Sequence, residues 1–400
     1  MIPTWKAASL VVLLLVVFEA HAQSNPHDLR GIYVYSSDVS RISKPYANGV
    51  TSSLGIPGMD GIVLVIGWSA IEPSPGQFQW VTLDPWIHQA VSLGKKIDLV
   101  VTAGSDTPSW LFQPAPAGAG AKPLQFTISP HGGATGKCDS ETIAAPWDPA
   151  FLGRWDAMLA GMSAHLKAIG AYDSIALFRL TGINRTTDEL RLPAETPQST
   201  GLACVSDAAS TWQQAGFKPS LLLQGWDAIT NSFAKNFPDK SFSVAIIPQN
   251  AFPAVAEDGS IVKGPSPDQN AALLSLASHK FPGRVVVQFN FLMPGEAASS
   301  VVIQAAQTLG TMAAFQTNEY FGSTGQGAAC SEPVTNPTPC TVQTFLTLLE
   351  TGIYPLGKSD PLRSQYIEVF PANANAFPGD ILQAHDELVP LVRRRAAVHR

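Results

Sequence analysis

Acidic residues follow two of the most apolar runs of the chain. Asp188 and Glu189 come after the run Ser174–Leu180, and Glu319 comes shortly after Thr311–Thr317. Two carboxyl groups that meet in one site can hydrolyse an acetal, because one donates a proton to the leaving oxygen while the other faces the electrophilic carbon. The elements that carry these residues must therefore bring the ends of two separate strands together.

Short apolar runs alternate with longer amphipathic ones along the chain, and this alternation predicts the fold. The run Gly61–Ile66 is continuously apolar rather than alternating in polarity, which is typical of a parallel strand buried on both faces. The predicted strands are Gly31–Tyr35, Gly61–Ile66, Lys96–Ala103, Ser174–Leu180, Phe242–Ile247, Arg284–Leu292, Thr311–Thr317 and Gln365–Phe370. The predicted helices are Thr82–Leu93, a helix capped by Asp148, Leu221–Phe233, Asp268–His279, Ala297–Leu309, Thr341–Thr351 and Ile381–Leu391.

Repeated strand–helix units of this kind predict an α/β fold with a parallel sheet. A closed (β/α)₈ TIM barrel is the economical arrangement of eight units. An open doubly wound sheet is the alternative, but it normally carries a Gly-rich phosphate turn after its first strand, which this sequence lacks. The long loops after the third, fourth, fifth and seventh strands would share one face of the barrel, where such proteins build their sites.

The chain begins with a segment that resembles a signal peptide. Lys6 precedes an apolar run, and Ala20-His21-Ala22 offers a small-x-small cleavage pattern, so we expect Met1–Ala22 to be removed. An uncleaved N-terminal anchor is the alternative. Residues 23–400 would then form one secreted or periplasmic catalytic domain, with no membrane insertion after cleavage because no second long apolar stretch follows.

Four cysteines suit an exported protein, in which an even number favours disulfides. Cys330 and Cys340 bracket a Pro-rich loop and could close it, in which case Cys138 would pair with Cys204. The other two pairings remain open, since sequence alone does not fix connectivity.

The composition limits the classes of ligand. The formal net charge of −6 does not indicate the basic surface that nucleic-acid binding requires. A neutral polar ligand such as a sugar suits this composition better. Neither the cysteines nor the histidines show the spacing of a metal site, so no metal or cofactor is expected.

The segment Trp68–Trp80, WSAIEPSPGQFQW, carries the most specific pattern of the chain. It resembles the W-x-x-[IL]-E-P-x-x-G-x-[FY]-x-W segment of retaining (β/α)₈ glycoside hydrolases, including the family 42 β-galactosidases. The resemblance continues through Leu83-Asp84, Gly94-Lys95-Lys96 and Thr107–Leu111. It implies that Glu72 fastens a loop and is not a catalyst. It also implies that Trp68 and Trp110 line a sugar site, with core packing as the alternative for each ring.

The same resemblance implies an acid/base after the fourth strand and a nucleophile at the end of the seventh. Glu319 is then the nucleophile, with ion pairing at the rim as the alternative, and Tyr320 could hold it by a hydrogen bond. Related enzymes end the fourth strand with an Asn-Glu pair, whereas this chain has Asn184-Arg185. We therefore expect Asn184 to bind a sugar hydroxyl.

The acid/base role then falls to a residue further along the same loop. Glu189 is the predicted acid/base, with Asp188 as the second candidate, and an exposed acid at a helix start is the alternative for Glu189. If Asp188 is not the acid, we expect it to contact the sugar. Asn290, at the end of the sixth strand, is expected to hydrogen-bond a hydroxyl or the nucleophile.

The sequence thus predicts a secreted retaining β-glycosidase of the β-galactosidase type acting on a carbohydrate. A carbohydrate-binding protein on a degenerate barrel is the alternative from a different class, and it would bind sugar without turnover. A barrel hydrolase for another bond would need a metal or a nucleophilic Ser or Cys constellation, and the sequence shows neither.

Overall fold

The computed structural model describes residues 28–129, 138–185, 187–247, 250–263, 268–292, 301–317, 342–360 and 362–389. The strands are β1 Gly31–Asp38, β2 Met59–Gly67, β3 Lys96–Thr102, β4 Pro123–Ile128, β5 Asp139–Ala144, β6 Ile175–Arg179, β7 Ser241–Ala245, β8 Val285–Leu292, β9 Met312–Thr317 and β10 Tyr366–Val369. All but β4 and β5 pair in parallel around a closed barrel in the order β1-β2-β3-β6-β7-β8-β9-β10. Because β10 pairs with β1, the predicted TIM barrel is confirmed and the open sheet is excluded.

Helices surround the barrel and occur between most successive barrel strands. They are α1 Lys44–Leu54, α2 Trp68–Ile71, α3 Asp84–Ser92, α4 Pro149–Ala168, α5 Pro197–Thr200, α6 Ala208–Gln214, α7 Pro219–Asn236, α8 Asn270–Lys280, α9 Val301–Leu309, α10 Val342–Ile353, α11 Pro371–Ala376 and α12 Pro378–Leu388. The Asp148 carboxylate accepts the N–H groups of Ala150 and Phe151, so it caps α4 as predicted. Helix α1 is an element that the sequence analysis did not predict.

The apolar core has two parts. A large cluster fills the space between strands and helices, and a small cluster lies inside the barrel around Tyr33, Val63, Val100 and Leu177. Side chains alternate between the two faces of a strand. On several strands the inward-facing position two residues away from this small cluster is polar and buried. These residues are Asp98, Arg179, Ser243, Gln288, Gln316 and Glu368.

An antiparallel hairpin, β4–β5, is inserted between β3 and α4. A disulfide joins Cys138, just before β5, to Cys204 in the loop after β6. The predicted Cys138–Cys204 pairing is therefore confirmed, and it ties two insertions on the loop face together. Cys330 and Cys340 lie outside the described residues.

Candidate active site

The loop after β2 is built around Glu72. Its fully buried carboxylate accepts the Nε1–H of Trp68 at 2.7 Å, the N–H of Gly76 at 2.7 Å and a guanidinium N–H of Arg154 at 3.0 Å. Every donor belongs to the loop or to the neighbouring helix α4. The prediction that Glu72 is a structural residue is confirmed.

Trp68 and Trp110 belong to the same packed assembly. The Trp68 ring is fully buried and meets the Trp110, Phe151 and Trp155 rings with centroids 5.3–6.0 Å apart. Trp110 is 5% exposed and donates its Nε1–H to the Glu72 carbonyl at 2.8 Å. With so little exposed surface, neither ring offers a platform for a sugar, and this environment favours the packing alternative over the predicted sugar contact.

Asn184 fixes the start of the loop after β6. Its Oδ1 accepts the N–H groups of Ala103 and Gly182, each at 3.1 Å, and its Nδ2 donates to the carbonyls of Arg185 and Thr187. These contacts use both donors and both acceptor positions of the amide. The prediction that Asn184 binds a sugar hydroxyl is therefore not supported, because the side chain is committed to the backbone.

The Arg185 side chain contacts the inserted hairpin and a later part of its own loop. Its Nε donates to Glu141 and its Nη1 to Glu195, both at 2.7 Å. The backbone of the same residue lies against the loop after β3, where an added Cβ at Gly104 would be 1.9 Å from the Arg185 carbonyl oxygen. Arg185 thus anchors the loop through both its side chain and its backbone.

The chain then returns to the line of β6, and this return positions Glu189. Leu180 donates its N–H to the Ser243 carbonyl, and Leu190 donates to Ala245 and pairs in parallel with Ile246. Arg179 pairs with Ser243, which lies three residues before Ile246. In an uninterrupted strand residue 182 would therefore pair with Ile246, but Leu190 takes that position instead. Eight residues loop out, and the strand direction then resumes with Glu189 at the carboxyl end of the fourth barrel strand.

Glu189 has the environment of a proton donor. Its side chain is 5% exposed, and Oε1 accepts the Nδ2–H of Asn290 at 3.0 Å while Oε2 is buried without a hydrogen bond. Burial raises the pKa of Glu189, and the neighbouring Asp188 carboxylate raises it further; the Thr187 hydroxyl and the Asn290 amide act in the opposite direction. The alternative of an exposed acid at a helix start is excluded by this burial.

Asp188 faces a different partner. Its carboxylate pairs with the guanidinium of Arg179, and both side chains are buried. Because this ion pair occupies the carboxylate, Asp188 is poorly placed to serve as the acid. The pair also leaves it poorly placed for the sugar contact predicted from the sequence.

Arg179 is the centre of a polar network that sequence reasoning missed. Its guanidinium donates to Asp98 at 2.9 Å and to Gln288 at 3.0 Å, and it also pairs with Glu368. The available signal was the two-residue alternation of β6, which places Arg179 on the same inward face as Leu177.

A chain of hydrogen bonds orients Asn290 toward Glu189. The Oε1 of Gln288 accepts from Arg179 and from the Tyr366 hydroxyl, the latter at 2.6 Å, so its Nε2 is free to donate to Asn290 Oδ1 at 2.8 Å. The Nδ2 of Asn290 therefore faces Glu189. Asn290 thus contacts the predicted acid, Glu189, and its contact with a sugar hydroxyl or with the nucleophile stays a prediction.

The second predicted carboxylate lies outside the described residues, as does Tyr320. Glu319 follows β9, which ends at Thr317 between β8 and β10. Within the described ranges, no group of three or more His, Cys, Asp or Glu side chains has the geometry of a metal site. No described helix combines the length and hydropathy needed to cross a bilayer.

A family model described as β-galactosidase, of glycoside hydrolase family 42, matches residues 61–122. The matched segment contains Trp68–Trp80, so the resemblance found in the sequence is confirmed over this part of the chain. No curated protein sequence matches the chain.

Solved structures match the chain at low sequence identity. The catalytic domain of the β-amylase from Paenibacillus polymyxa is 14% identical with a TM-score of 0.56, covering 89% of this chain and 98% of that one. The xylanase TsXylA from Thermoanaerobacterium saccharolyticum JW/SL-YS485 is 12% identical with a TM-score of 0.48 and covers 85% of each chain. The β-galactosidase from Marinomonas ef1 is 11% identical with a TM-score of 0.48, covering 85% of this chain and 54% of that one. The β-amylase domain shows the common barrel fold, and the family match supports a glycosidase.

Proposed function

We propose that the protein is a glycoside hydrolase in which Glu189 is the acid/base and Glu319 the nucleophile. The observation that carries the proposal is the Glu189 carboxyl, buried at the end of the fourth barrel strand with a raised pKa. A proton donor must stay protonated near its working pH, and burial of a carboxyl is the usual means. The family 42 match over residues 61–122 supports the same class of reaction.

The proposed reaction has two steps. Glu189 protonates the leaving oxygen as Glu319 attacks the anomeric carbon, which breaks the glycosidic bond and forms a glycosyl ester. Glu189, now ionised, removes a proton from water, whose oxygen attacks the same carbon and releases Glu319. This retaining course comes from the resemblance of the chain to retaining barrel enzymes, and it requires the two carboxyl groups to be about 5 Å apart.

Export is part of the proposal. Met1–Ala22 has the pattern of a cleavable signal, and the Cys138–Cys204 disulfide suits an oxidising compartment outside the cytoplasm. We therefore propose a secreted or periplasmic enzyme acting on carbohydrate. The mature N-terminus of the secreted protein, read by mass spectrometry, would test this.

The test of the catalytic roles uses aryl β-glycosides whose leaving groups differ in acidity. Glu319→Gln should abolish turnover of every substrate. Glu189→Gln should lower kcat/KM by about 10²–10⁴-fold for a poor leaving group, but far less for dinitrophenolate, which needs no proton. Glu350→Gln is a control, because Glu350 pairs with Lys358 on the surface.

A non-catalytic carbohydrate-binding protein is the second candidate. The specific observation in its favour is that Glu189 is only 5% exposed, so substrate would have to approach a nearly sealed carboxyl. Saturable sugar binding by the wild type with no turnover of any glycoside in the panel would establish this alternative. Equal losses in Glu189→Gln for good and poor leaving groups would reject the acid role while leaving the hydrolase class intact.

A further inference from the structure

A directed chain of hydrogen bonds runs from the barrel interior to Glu189. The Nη2 of Arg179 donates to Gln288 Oε1 at 3.0 Å. The Nε2 of Gln288 donates to Asn290 Oδ1 at 2.8 Å, and the Nδ2 of Asn290 donates to Glu189 Oε1 at 3.0 Å. All four side chains are buried, so water competes little with any of these bonds.

The direction of this chain is set at its inner end. A guanidinium has only N–H donors, so Gln288 can face Arg179 only with its carbonyl oxygen. The Tyr366 hydroxyl donates to the same oxygen at 2.6 Å. The Gln288 amide therefore presents its N–H₂ group to Asn290. Turning the Asn290 amide over would set two N–H₂ groups against each other, and this fixes which end of Asn290 faces Glu189.

The two oxygens of Glu189 are therefore not equivalent. In a protonated carboxyl group the hydroxyl oxygen carries the proton, and the carbonyl oxygen is the stronger hydrogen-bond acceptor. Oε1 accepts the N–H of Asn290, so it takes the carbonyl role. The proton of the acid then belongs on Oε2.

We propose that Gln288 is a positioning residue that fixes the Asn290 amide, so that Glu189 delivers its proton from Oε2. This inference rests on the proposed function, in which Glu189 protonates the leaving oxygen. In that step the O–H bond at Oε2 breaks, the proton passes to the leaving oxygen, and Glu189 becomes a carboxylate. An Asn290 amide free to turn over would draw the proton to Oε1, where Asn290 and not the leaving oxygen receives it.

Other groups act on the same carboxyl, but not through Gln288. Among the described residues they are Asp188, Thr187, Arg191 and Tyr35. Burial and the Asp188 carboxylate raise the pKa of Glu189, and the Thr187 hydroxyl lowers it. Within the described ranges the Gln288 amide instead bonds to Arg179, Tyr366 and Asn290. A change at Gln288 therefore reaches Glu189 by way of Asn290.

Gln288→Met tests the role, because it keeps the length of the side chain and removes both its donor and its acceptor. The basic limb of kcat/KM should move to higher pH, since an Asn290 carbonyl turned toward Glu189 favours the protonated carboxyl. For phenyl β-glycosides kcat/KM should fall about 10-fold more than for dinitrophenyl β-glycosides, whose leaving group needs no proton.

The matched control is Gln316→Met. Gln316 is a buried glutamine of β9, and its Nε2 donates to Glu368 at 2.8 Å rather than to Asn290. This variant also removes an amide from the polar interior, but it should keep the basic limb and the leaving-group dependence of the wild type. The same changes in both variants would show a general effect of disturbing the interior and would overturn the inference.

A double-mutant cycle tests the route through Asn290. Gln288→Met added to Asn290→Ala should change the basic limb and the leaving-group dependence no further, because the side chain through which Gln288 acts is already absent. Effects that add in the double variant would overturn the inference, as would equal losses for good and poor leaving groups in Gln288→Met.

An NMR titration separates this inference from the proposed function, because it needs neither turnover nor a folded Gln288 variant. In the wild type the Nδ2 protons of Asn290 should shift as Glu189 titrates, and the shift should be lost in Glu189→Gln. Turnover together with an Nδ2 signal that does not follow the titration would overturn the inference and leave the hydrolase intact. A titrating Nδ2 signal with no turnover of any glycoside would instead reject the hydrolase and keep the orientation of Asn290.

Discussion

At the scale of the residue, the state of Glu189 depends on one amide. Asn290 donates to Oε1 at 3.0 Å, and this bond favours the ionised carboxylate. Asn290→Ala removes the donor, so the pKa of Glu189 should rise. An acid that must be protonated loses activity as pH rises through its pKa, and the basic limb of the kcat/KM profile should therefore move to higher pH. A bond worth about 1 kcal/mol corresponds to a shift of roughly 0.7 pH unit.

The control for Asn290→Ala is an asparagine with no connection to the site. Asn375 binds backbone carbonyls of Gly49 and Pro371 in the helical shell, and Asn375→Ala should leave the basic limb in place. A basic limb that stays fixed or moves to lower pH in Asn290→Ala would contradict the assignment of Glu189 as the titrating acid.

At the scale of the element, the loop after β2 is held by a single buried carboxylate. Glu72→Gln keeps the shape of the side chain but removes the charge that receives Arg154 and Trp68. Breaking a buried pair costs about 3–5 kcal/mol, whereas an exposed pair contributes about 0–1 kcal/mol. We expect urea denaturation to show a loss of about 3 kcal/mol for Glu72→Gln and less than about 1 kcal/mol for Glu350→Gln. Similar losses in the two variants would show that Glu72 does not fasten the loop.

The strands were predictable from sequence, but the interruption of the fourth one was not. Apolar runs located all eight barrel strands to within a few residues, because parallel strands need continuous apolar sequence. The eight residues that loop out after Leu180 leave no periodic signal, since the resumed strand is a single bridge at Leu190. Glu189 was identified from its residue type and loop, while the burial that distinguishes it from Asp188 comes from tertiary contacts.

The roles of Trp68, Asn184 and Arg179 were harder to predict, for a different reason. The sequence does not show whether a tryptophan or asparagine near a strand end faces a ligand or packs against the rest of the protein. The pairing of Arg179 with Asp98, Asp188 and Glu368 joins residues up to 189 positions apart, which no local pattern shows.

At the scale of the whole molecule, the described part of the barrel interior contains more acidic than basic side chains. One guanidinium, that of Arg179, faces the carboxyl groups of Asp98, Asp188 and Glu368, and all four side chains are buried. Burial raises the pKa of Asp98 to about 6 and that of Glu368 to about 7, despite the attraction of Arg179. Burial makes the ionised forms of Asp98 and Glu368 costly, so the folded protein should retain protons on them that the unfolded chain releases near pH 4.

Because the folded protein retains these protons, its stability should fall as pH rises. Carboxyls whose pKa is raised by folding stabilise the folded state fully at low pH, and the contribution is lost as pH rises through the folded pKa. Groups whose pKa is lowered in the folded state, such as Asp28 and Glu195, change the stability only below about pH 4.5. They therefore do not affect the stability between pH 5 and pH 7.5. The free energy of unfolding should therefore fall by roughly 4 kcal/mol between pH 5 and pH 7.5, about a third of it from Asp98 and the rest from Glu368.

Glu368→Gln tests whether the buried network is the source of that slope. The amide cannot ionise, so the variant should lose much of the decline between pH 5 and pH 7.5, whatever its absolute stability. Glu350→Gln, at the surface, should keep the slope of the wild type. Urea denaturation at half-unit pH intervals measures both. A stability of the wild type that stayed constant or rose across this range would show that Asp98 and Glu368 are already ionised in the folded barrel at pH 5, and it would contradict their raised pKa values.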